Sequence, residues 1–324
     1  MKVSQLMLFG IFFIGISSIE AQEKTSLTLG EAIHLAWAKS NEVSLANTKV
    51  STKKHELQSV KNSQYPDLKI SGQYQRLTQA SIDFKINKSS DAHPLPVVDQ
   101  LMIGQVSASL PVFSGFKIQN TIKAYDNMYQ AETAAAMQTK EEVAMMVVNY
   151  YASLYKAQKT VELLKENQKS AKQRVSDFLE LEKNGIIPRN DLLKSQLQVS
   201  KVQLSLDRAI SELNTVNFEL VSLLKMDAKT KLEIKESDFA DFLMTNIPTN
   251  DELALGNRKD LESIRLQEKA SLANVQMAKS GYYPSISIIG GYTALDLKNV
   301  ITVQNAMNIG VGVSYDLSGI LKNG

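Results

Sequence analysis

Between Gly115 and Pro248 the chain contains one glycine, Gly185, and one proline, Pro188. These are the residue types that interrupt helices, so the stretch reads as helix with a single break. Before the break, Val143, Val147, Tyr150, Leu154, Ala157, Val161, Leu164, Gln168, Ala171, Val175 and Phe178 recur at alternating steps of three and four, the seam of a coiled coil. After it, Leu192, Ser195, Val199, Val202, Leu206, Ala209, Leu213, Val216, Leu220 and Leu223 keep the same beat. A helix over 116–183 would be roughly 100 Å long, far beyond the usual three or four turns. The pattern predicts a long antiparallel hairpin over 116–225, with its tip at 184–191.

Ahead of the rod, residues 1–21 read as a signal peptide. Lys2 supplies the charge and the apolar run from Leu6 to Ile16 is too short to span a bilayer. Cleavage after Ala21 would leave Gln22 as the mature start, followed by helices over 22–64. No later segment offers a helical membrane span, so re-entry into a membrane would have to use strands. With 44% hydrophobic and 22% charged residues the chain can bury a core, which excludes disorder and collagen-like repetition. The absence of cysteine excludes a disulfide framework, a zinc-thiolate site, a thiol nucleophile and a lipidated N-terminal cysteine. His34 and His55 fall on predicted helices and His93 in a proline-containing loop, without clustered partners; isolated structural or surface histidines are expected, with no metal and no cofactor. A formal charge of +2 gives no global field for nucleic acid. Tyr150, Tyr151 and Tyr155 read as helix-packing residues, and Trp37 is expected to be buried.

The segments flanking the rod carry a period of two. Leu68, Ile70, Gly72 and Tyr74 alternate with polar residues; so do Val106, Ala108, Leu110 and Val112, then Ile286, Ile288, Gly290 and Tyr292, then Met307, Ile309, Val311, Val313 and Tyr315. Four strands of about ten residues are predicted, each with one greasy and one wet face. They suit either a transmembrane barrel or a half-buried antiparallel sheet; the export signal favours the barrel.

The chain also repeats. A shift of 218 residues lays Leu35-Ala36 on Leu253-Ala254, Gln58 on Gln276, Lys61 on Lys279, Tyr65-Pro66 on Tyr283-Pro284, Gly72 on Gly290 and Tyr74 on Tyr292. A shift of 204 pairs Ser114-Gly115 with Ser318-Gly319. One module, helix then Tyr-Pro then β-hairpin, therefore occurs twice. The first hairpin covers 65–115, with an exposed loop at about 76–100 containing Pro94 and Pro96. A linker at 226–248 leads to the second module, with a helix over 249–282 and a hairpin over 283–319. Residues 320–324 read as the start of another helix, and by the repeat a second helical hairpin would follow; the chain is therefore expected to be truncated and unable to close a periplasmic tunnel by itself.

At this point the sequence resembles the TolC family of outer-membrane efflux and secretion channels. The likeness is carried by Leu27-Thr28-Leu29-Gly30-Glu31-Ala32-Ile33, the two Tyr-Pro strand starts (Tyr65, Pro66, Tyr283, Pro284), Pro111-Val112-Phe113-Ser114-Gly115, and Gly185-Ile186-Ile187-Pro188-Arg189-Asn190-Asp191-Leu192. The resemblance implies a mainly α fold with transmembrane β: long antiparallel coiled-coil hairpins building an α-helical barrel across the periplasm, and four strands per subunit completing a 12-stranded barrel in a homotrimer. Four strands cannot close a barrel and three copies of four can.

It further implies a passive exit duct in the outer membrane, fed by an inner-membrane RND or ABC transporter through a periplasmic adaptor. No nucleotide motif is present: Gly310-Val311-Gly312 lacks a third glycine and no Walker sequence occurs. Asn184, Gly185, Ile186, Ile187, Pro188 and Arg189 are the expected adaptor-docking tip, with Ile186 and Ile187 exposed; the bland alternative folds the isoleucines back on the stem. Asp191 matches the family's aspartate at the periplasmic aperture, where a ring of carboxylates would act on cations; alternatively Asn190 or Asp191 only caps the returning helix. A periplasmic coiled-coil adaptor is the competing reading. An enzyme ranks last, because no acid–base or nucleophile constellation stands out.

Overall fold

A computed structural model describes residues 24–80, 98–235, 237 and 250–317. The expected signal peptide, His93, Pro94, Pro96, Pro248, part of the 226–248 linker, Ser318-Gly319 and 320–324 lie outside the described residues. The chain divides into two compact units, Met1–Ser44 with Lys140–Thr249, and Leu45–Thr139 with Asn250–Gly324.

The first unit contains β1 (Lys24–Ser26), α1 (Leu29–Lys39), most of α3 (Lys117–Lys183), α4 (Arg189–Leu223) and β4 (Lys231–Glu233). At 67 residues α3 is unbroken, as the missing breakers require. Helix α1 starts on a capping box: Thr28 accepts from the Glu31 backbone while the Glu31 carboxylate accepts from the Thr28 N–H at 2.9 Å. Leu29, Ala32 and Ala36 of α1 join Val143, Val147, Tyr151 and Leu154 of α3, Leu220 and Val221 of α4, and Leu232 and Ile234 in one core cluster. Tyr151, rather than Tyr150, fills the seam; its hydroxyl donates to the Leu27 carbonyl at 2.8 Å. Further along, Val161, Leu206 and Ala209 form a second cluster. Towards the tip the seam residues Leu164, Gln168, Ala171, Val175 and Phe178 are half-buried among exposed neighbours, and Gln168 donates to Gln203 across the hairpin.

Strands β1 and β4 pair in parallel. On its other side β4 has no strand partner among the described residues, and two side-chain amides take that place. Asn217 Nδ2 donates to the Thr230 carbonyl at 2.8 Å and its Oδ1 accepts from the Leu232 N–H at 2.9 Å. Gln158 Nε2 donates to the Leu232 carbonyl at 2.7 Å and its Oε1 accepts from the Ile234 N–H at 3.2 Å.

The second unit contains most of α2 (Asn41–Asn62), β2 (Asp67–Ala80), β3 (Val98–Phe113), α5 (Asp251–Asn257), α6 (Lys259–Lys279), β5 (Ser285–Leu297) and β6 (Ile301–Ser314). The four strands form one antiparallel sheet in the order β2-β3-β5-β6. They run 13 to 16 residues rather than the ten expected, because pairing continues past the apolar runs: Arg76 faces Gln100 and Ala80 faces Val98. Both ends of the expected 76–100 loop are therefore strand. Helix packing relies on small residues, and the buried Ser263 of α6 donates to the Ala131 carbonyl of α3 at 2.9 Å.

The second module's single expected helix is two, broken at Arg258. The repeat accounts for this, since 218 residues earlier Ser40 separates α1 from α2 and caps the latter through the Val43 N–H. Trp37 is not buried: it lies in the last turns of α1, 36% exposed, with its indole N–H donating to the Lys140 carbonyl at 2.9 Å.

Candidate functional site

Register decides what the sheet presents. Leu68 faces Ala108, Ile70 faces Val106 and Gly72 faces Gly104; Ala108 faces Gly290, Val106 faces Tyr292 and Leu110 faces Ile288; Gly290 faces Ile309, Tyr292 faces Met307 and Ile288 faces Val311. Paired residues share a face, so the apolar sets of all four strands fall on one side. The other side carries Lys69, Ser71, Ser107, Gln105, Thr293 and Asn308 in the same rows.

The apolar side is bare. Ile70 is 85%, Met307 82% and Ile309 87% exposed. An uncovered apolar surface of this kind calls for a non-aqueous neighbour. On β3 the apolar run extends from Val112 to Met102, about 34 Å along the strand, or about 26 Å in height at a tilt of about 40°. That matches the roughly 25 Å apolar band of a membrane barrel. The same side turns polar at the end of the band, where Asp296 and Thr302 stand in the row of Met102 and Arg76 faces Gln100 one row further out. At its opposite end lie exposed aromatics, Tyr65, Phe116, Tyr282, Tyr283 and Tyr315, the composition of an interfacial girdle.

The strand-to-helix junction is built at Gly115. Its φ is +61°, and a Cβ there would stand 2.6 Å from the Ser280 carbonyl oxygen and 2.8 Å from Tyr283 Cβ. Phe116 is also left-handed, at +66°, and stacks edge-on with Phe113 at 5.6 Å and with Tyr283 at 6.4 Å. Tyr283 and Pro284 thus start β5 against the end of β3; Tyr65 and Pro66 precede β2 at the matching position of the first module.

At the rod's tip, Gly185 takes φ +70°, its N–H donates to the Glu182 carbonyl, and the Ile186 N–H donates to the Leu181 carbonyl, both at 2.9 Å. This is a Schellman turn. Asn184 adds a side-chain bond to the Glu180 carbonyl at 2.8 Å. Ile186 is 66% exposed, whereas Ile187 is half-buried in a groove lined by Phe178, Arg174, Asp191 and Ser195. The expectation that both isoleucines project holds for Ile186 only. Pro188 occupies the N-cap of α4 without a side-chain bond, so neither Asn190 nor Asp191 caps the helix. Asp191 lies in the first turn, where the helix dipole favours an anion, and pairs with Lys194 at 3.2 Å; Arg189 reaches towards Glu182 at 4.0 Å.

The sequence reading identified the sheet and the tip but not the Asn217–Gln158 clamp, nor the outer ends of the strands, where a change of phase in the apolar alternation was the available signal. Among the described residues no group of three or more His, Cys, Asp or Glu could hold a metal, and no helix is long and apolar enough to cross a membrane. His34 stacks edge-on against Trp37.

One chain thus carries both an apolar sheet face of membrane height and a long helical hairpin. No family model and no curated protein matches the chain, but solved structures do. CusC, whose structures concern transmembrane channel formation, superposes with a TM-score of 0.74 at 16% identity, over 90% of this chain and 66% of CusC. The outer-membrane channel OprN gives 0.72 at 14%, over 91% and 65%. The CmeC outer membrane channel of Campylobacter jejuni gives 0.71 at 17%, over 98% and 70%. The chain thus has the fold of these channels and spans about two thirds of the length of CusC and OprN.

Proposed function

We propose that this chain is a subunit of a passive exit duct in the outer membrane that extends into the periplasm. The observation carrying this reading is the sheet: one bare apolar face of membrane height, one wet face, and two edge strands, β2 and β6, without a further strand partner among the described residues. A free edge seeks a partner strand, and the repeat supplies one in a second copy. Ala108 faces Gly290 across β3 and β5, and Val106 faces Tyr292. In the repeated module Val313 stands where Ala108 does and Gly72 where Gly290 does. Val313 of one copy therefore faces Gly72 of the next, and Val311 faces Tyr74. Three copies close a 12-stranded barrel whose apolar face meets lipid and whose polar face lines water.

The cysteine-free sequence makes this directly testable. A Cβ at Gly72 would meet nothing within 4 Å, so Gly72→Cys with Val313→Cys is expected to give a disulfide-linked trimer in outer-membrane fractions under mild oxidation. Absence of intersubunit cross-links in protein that does reach the outer membrane would refute the assembly.

The same reading assigns energy supply to an inner-membrane RND or ABC transporter and makes residues 184–189 the docking tip for a periplasmic adaptor. Ile186 is the side chain best placed for it, being apolar, exposed and held on a rigid turn; if Ile186→Asp leaves adaptor binding intact, the assignment fails. Asp191 is the aperture residue, its carboxylate balanced by Lys194. Channels with Asp191→Ala are expected to lose part of their block by divalent cations, and unchanged block would remove Asp191 from that role.

A further inference from the structure

The polarity of the sheet inverts near the outer ends of its strands. Along β3 the ladder to β5 runs without a break from Leu101 to Pro111, and that to β2 from Gln100 to Ser109. Odd and even residues therefore keep to opposite faces throughout. Over most of β3 the apolar residues are even-numbered, Leu110, Ala108 and Val106; at the outer end the even face keeps only Met102, while the odd face, polar until then, gains Ile103 and Leu101. Strand β5 does the same, passing from Ile288 and Tyr292 to Leu295 and Leu297. Ile103 faces Leu295 and Leu101 faces Leu297, while Val303 and Ile301 of β6 complete the two rows. On the lipid side at this height Tyr74 and Met102 share a row with Asp296 and Thr302, the last donating to Asp296 at 2.6 Å, and Arg76 faces Gln100 in the next row out.

A strand leaving the bilayer should become polar on its outer face. Nothing in membrane insertion asks its inner face to become apolar at the same height. Five of these residues, Leu101, Ile103, Leu295, Leu297 and Val303, are half-buried against one another rather than bare, so they form a continuous patch. Its surroundings on that face are polar: Gln73 and Gln75 of β2 in the same rows, Gln105 and Thr293 one row inward, and Asp99 with Lys298, paired at 3.4 Å, at the rim.

We infer that Leu101, Ile103, Leu295, Leu297 and Val303 line the lumen near its outer mouth as an apolar collar that sets the selectivity of exit. The inference rests on the barrel reading above. Three copies place three such patches around the passage, separated by the Gln73–Gln75 strips. A hydrated ion crossing the collar loses polar wall partners without gaining a compensating charge, whereas a solute with apolar surface sheds ordered water there. The collar thus raises the resistance to small ions and favours amphipathic or apolar cargo.

The test uses protein isolated from outer membranes and reconstituted in planar bilayers. Ile103→Ser with Leu295→Ser is expected to raise potassium chloride conductance roughly twofold and to lower the permeability of tetrabutylammonium relative to tetramethylammonium; Ile103→Leu should change neither. As a second measurement that keeps the wild-type packing elsewhere, Ile103→Cys is expected to lose conductance when a charged, water-soluble thiol reagent is added. Channels whose conductance and ion preference are unmoved by the double serine variant, or whose Ile103→Cys form ignores the reagent, would overturn the collar while leaving the barrel intact. The barrel reading is checked separately by Ser107→Cys, on the polar face in mid-strand: if the reagent never reaches it, or if the unmodified protein forms no channels, barrel and collar fall together.

Discussion

Replacing Asn217 by leucine would remove one half of the amide clamp on β4 while keeping side-chain bulk. Two backbone groups lose their partners, the Thr230 carbonyl and the Leu232 N–H. Leu232 is buried, so water cannot replace the lost bond on its N–H at little cost; Thr230 is half-exposed and recovers part of its loss from solvent. Each orphaned backbone group costs about 1–3 kcal/mol, which gives about 2–4 kcal/mol for the pair. The consequence reaches the core, because β4 delivers Leu232 and Ile234 into the cluster around Leu154 and Leu220. The assay is hydrogen exchange at the Leu232 and Ile234 amides. A loss of about 2.8 kcal/mol in local opening free energy corresponds to roughly a hundredfold faster exchange. Gln158→Met should have a comparable effect, and because both amides hold Leu232 the double variant should cost less than the sum of the two, by at least about 0.5 kcal/mol. Exchange at Leu232 unchanged within threefold in Asn217→Leu would show that β4 is held by its pairing with β1 and by burial alone.

Alanine at the two left-handed glycines should separate two causes of strain. Gly115→Ala costs about 1–2 kcal/mol for the backbone conformation and must also push the Ser280 carbonyl and Tyr283 aside, so a total above about 2 kcal/mol is expected, read as a lower thermal unfolding midpoint. Gly185→Ala meets nothing within 4 Å and should cost only the conformational part, about 1–2 kcal/mol. Lys225 ends α4 with φ +50° in a Schellman turn of its own, the Met226 N–H donating to the Val221 carbonyl at 3.0 Å; Lys225→Gly is expected to stabilise by up to about 1 kcal/mol, measured by thermal unfolding. At the start of α6, the hydrogen bond from Arg258 holds the Asp260 carboxyl below the ordinary aspartate value. A depressed carboxyl contributes above its unfolded value and loses that contribution as pH falls through the folded one, so the effect belongs to pH below about 4. An NMR titration should show the Asp260 midpoint rising towards the ordinary value in Arg258→Gln.

The hairpin was legible because a 3.6-residue period leaves its mark on every turn, and burial follows it residue by residue from Val161 to Phe178. Where the seam reading slipped, between Tyr150 and Tyr151, two adjacent aromatics offered the same chemistry and only the direction of the helix chose between them. The strands were legible wherever one face is apolar. Their outer ends were not read, because there the apolar residues change parity, and a change of parity in a bare sequence is equally well a bulge, a turn or the end of the strand. Only the unbroken ladders on both sides of β3 turn it into a change of face. The clamp escaped for a different reason: Gln158 and Asn217 are two of many amides along helices whose outer faces are polar, and what distinguishes them is a strand 15 to 76 residues away. The repeat shows the same division. It carries geometry faithfully, down to the helix break at Ser40 and Arg258, yet the break is held by a buried hydroxyl cap in one copy and an exposed ion pair in the other. Spacing therefore transmits the path of the chain between the two modules, while the groups that secure each turn are free to differ. For the same reason, the chemistry of the hairpin tip and of the two sheet faces has to be established side chain by side chain, even where the fold follows from pattern.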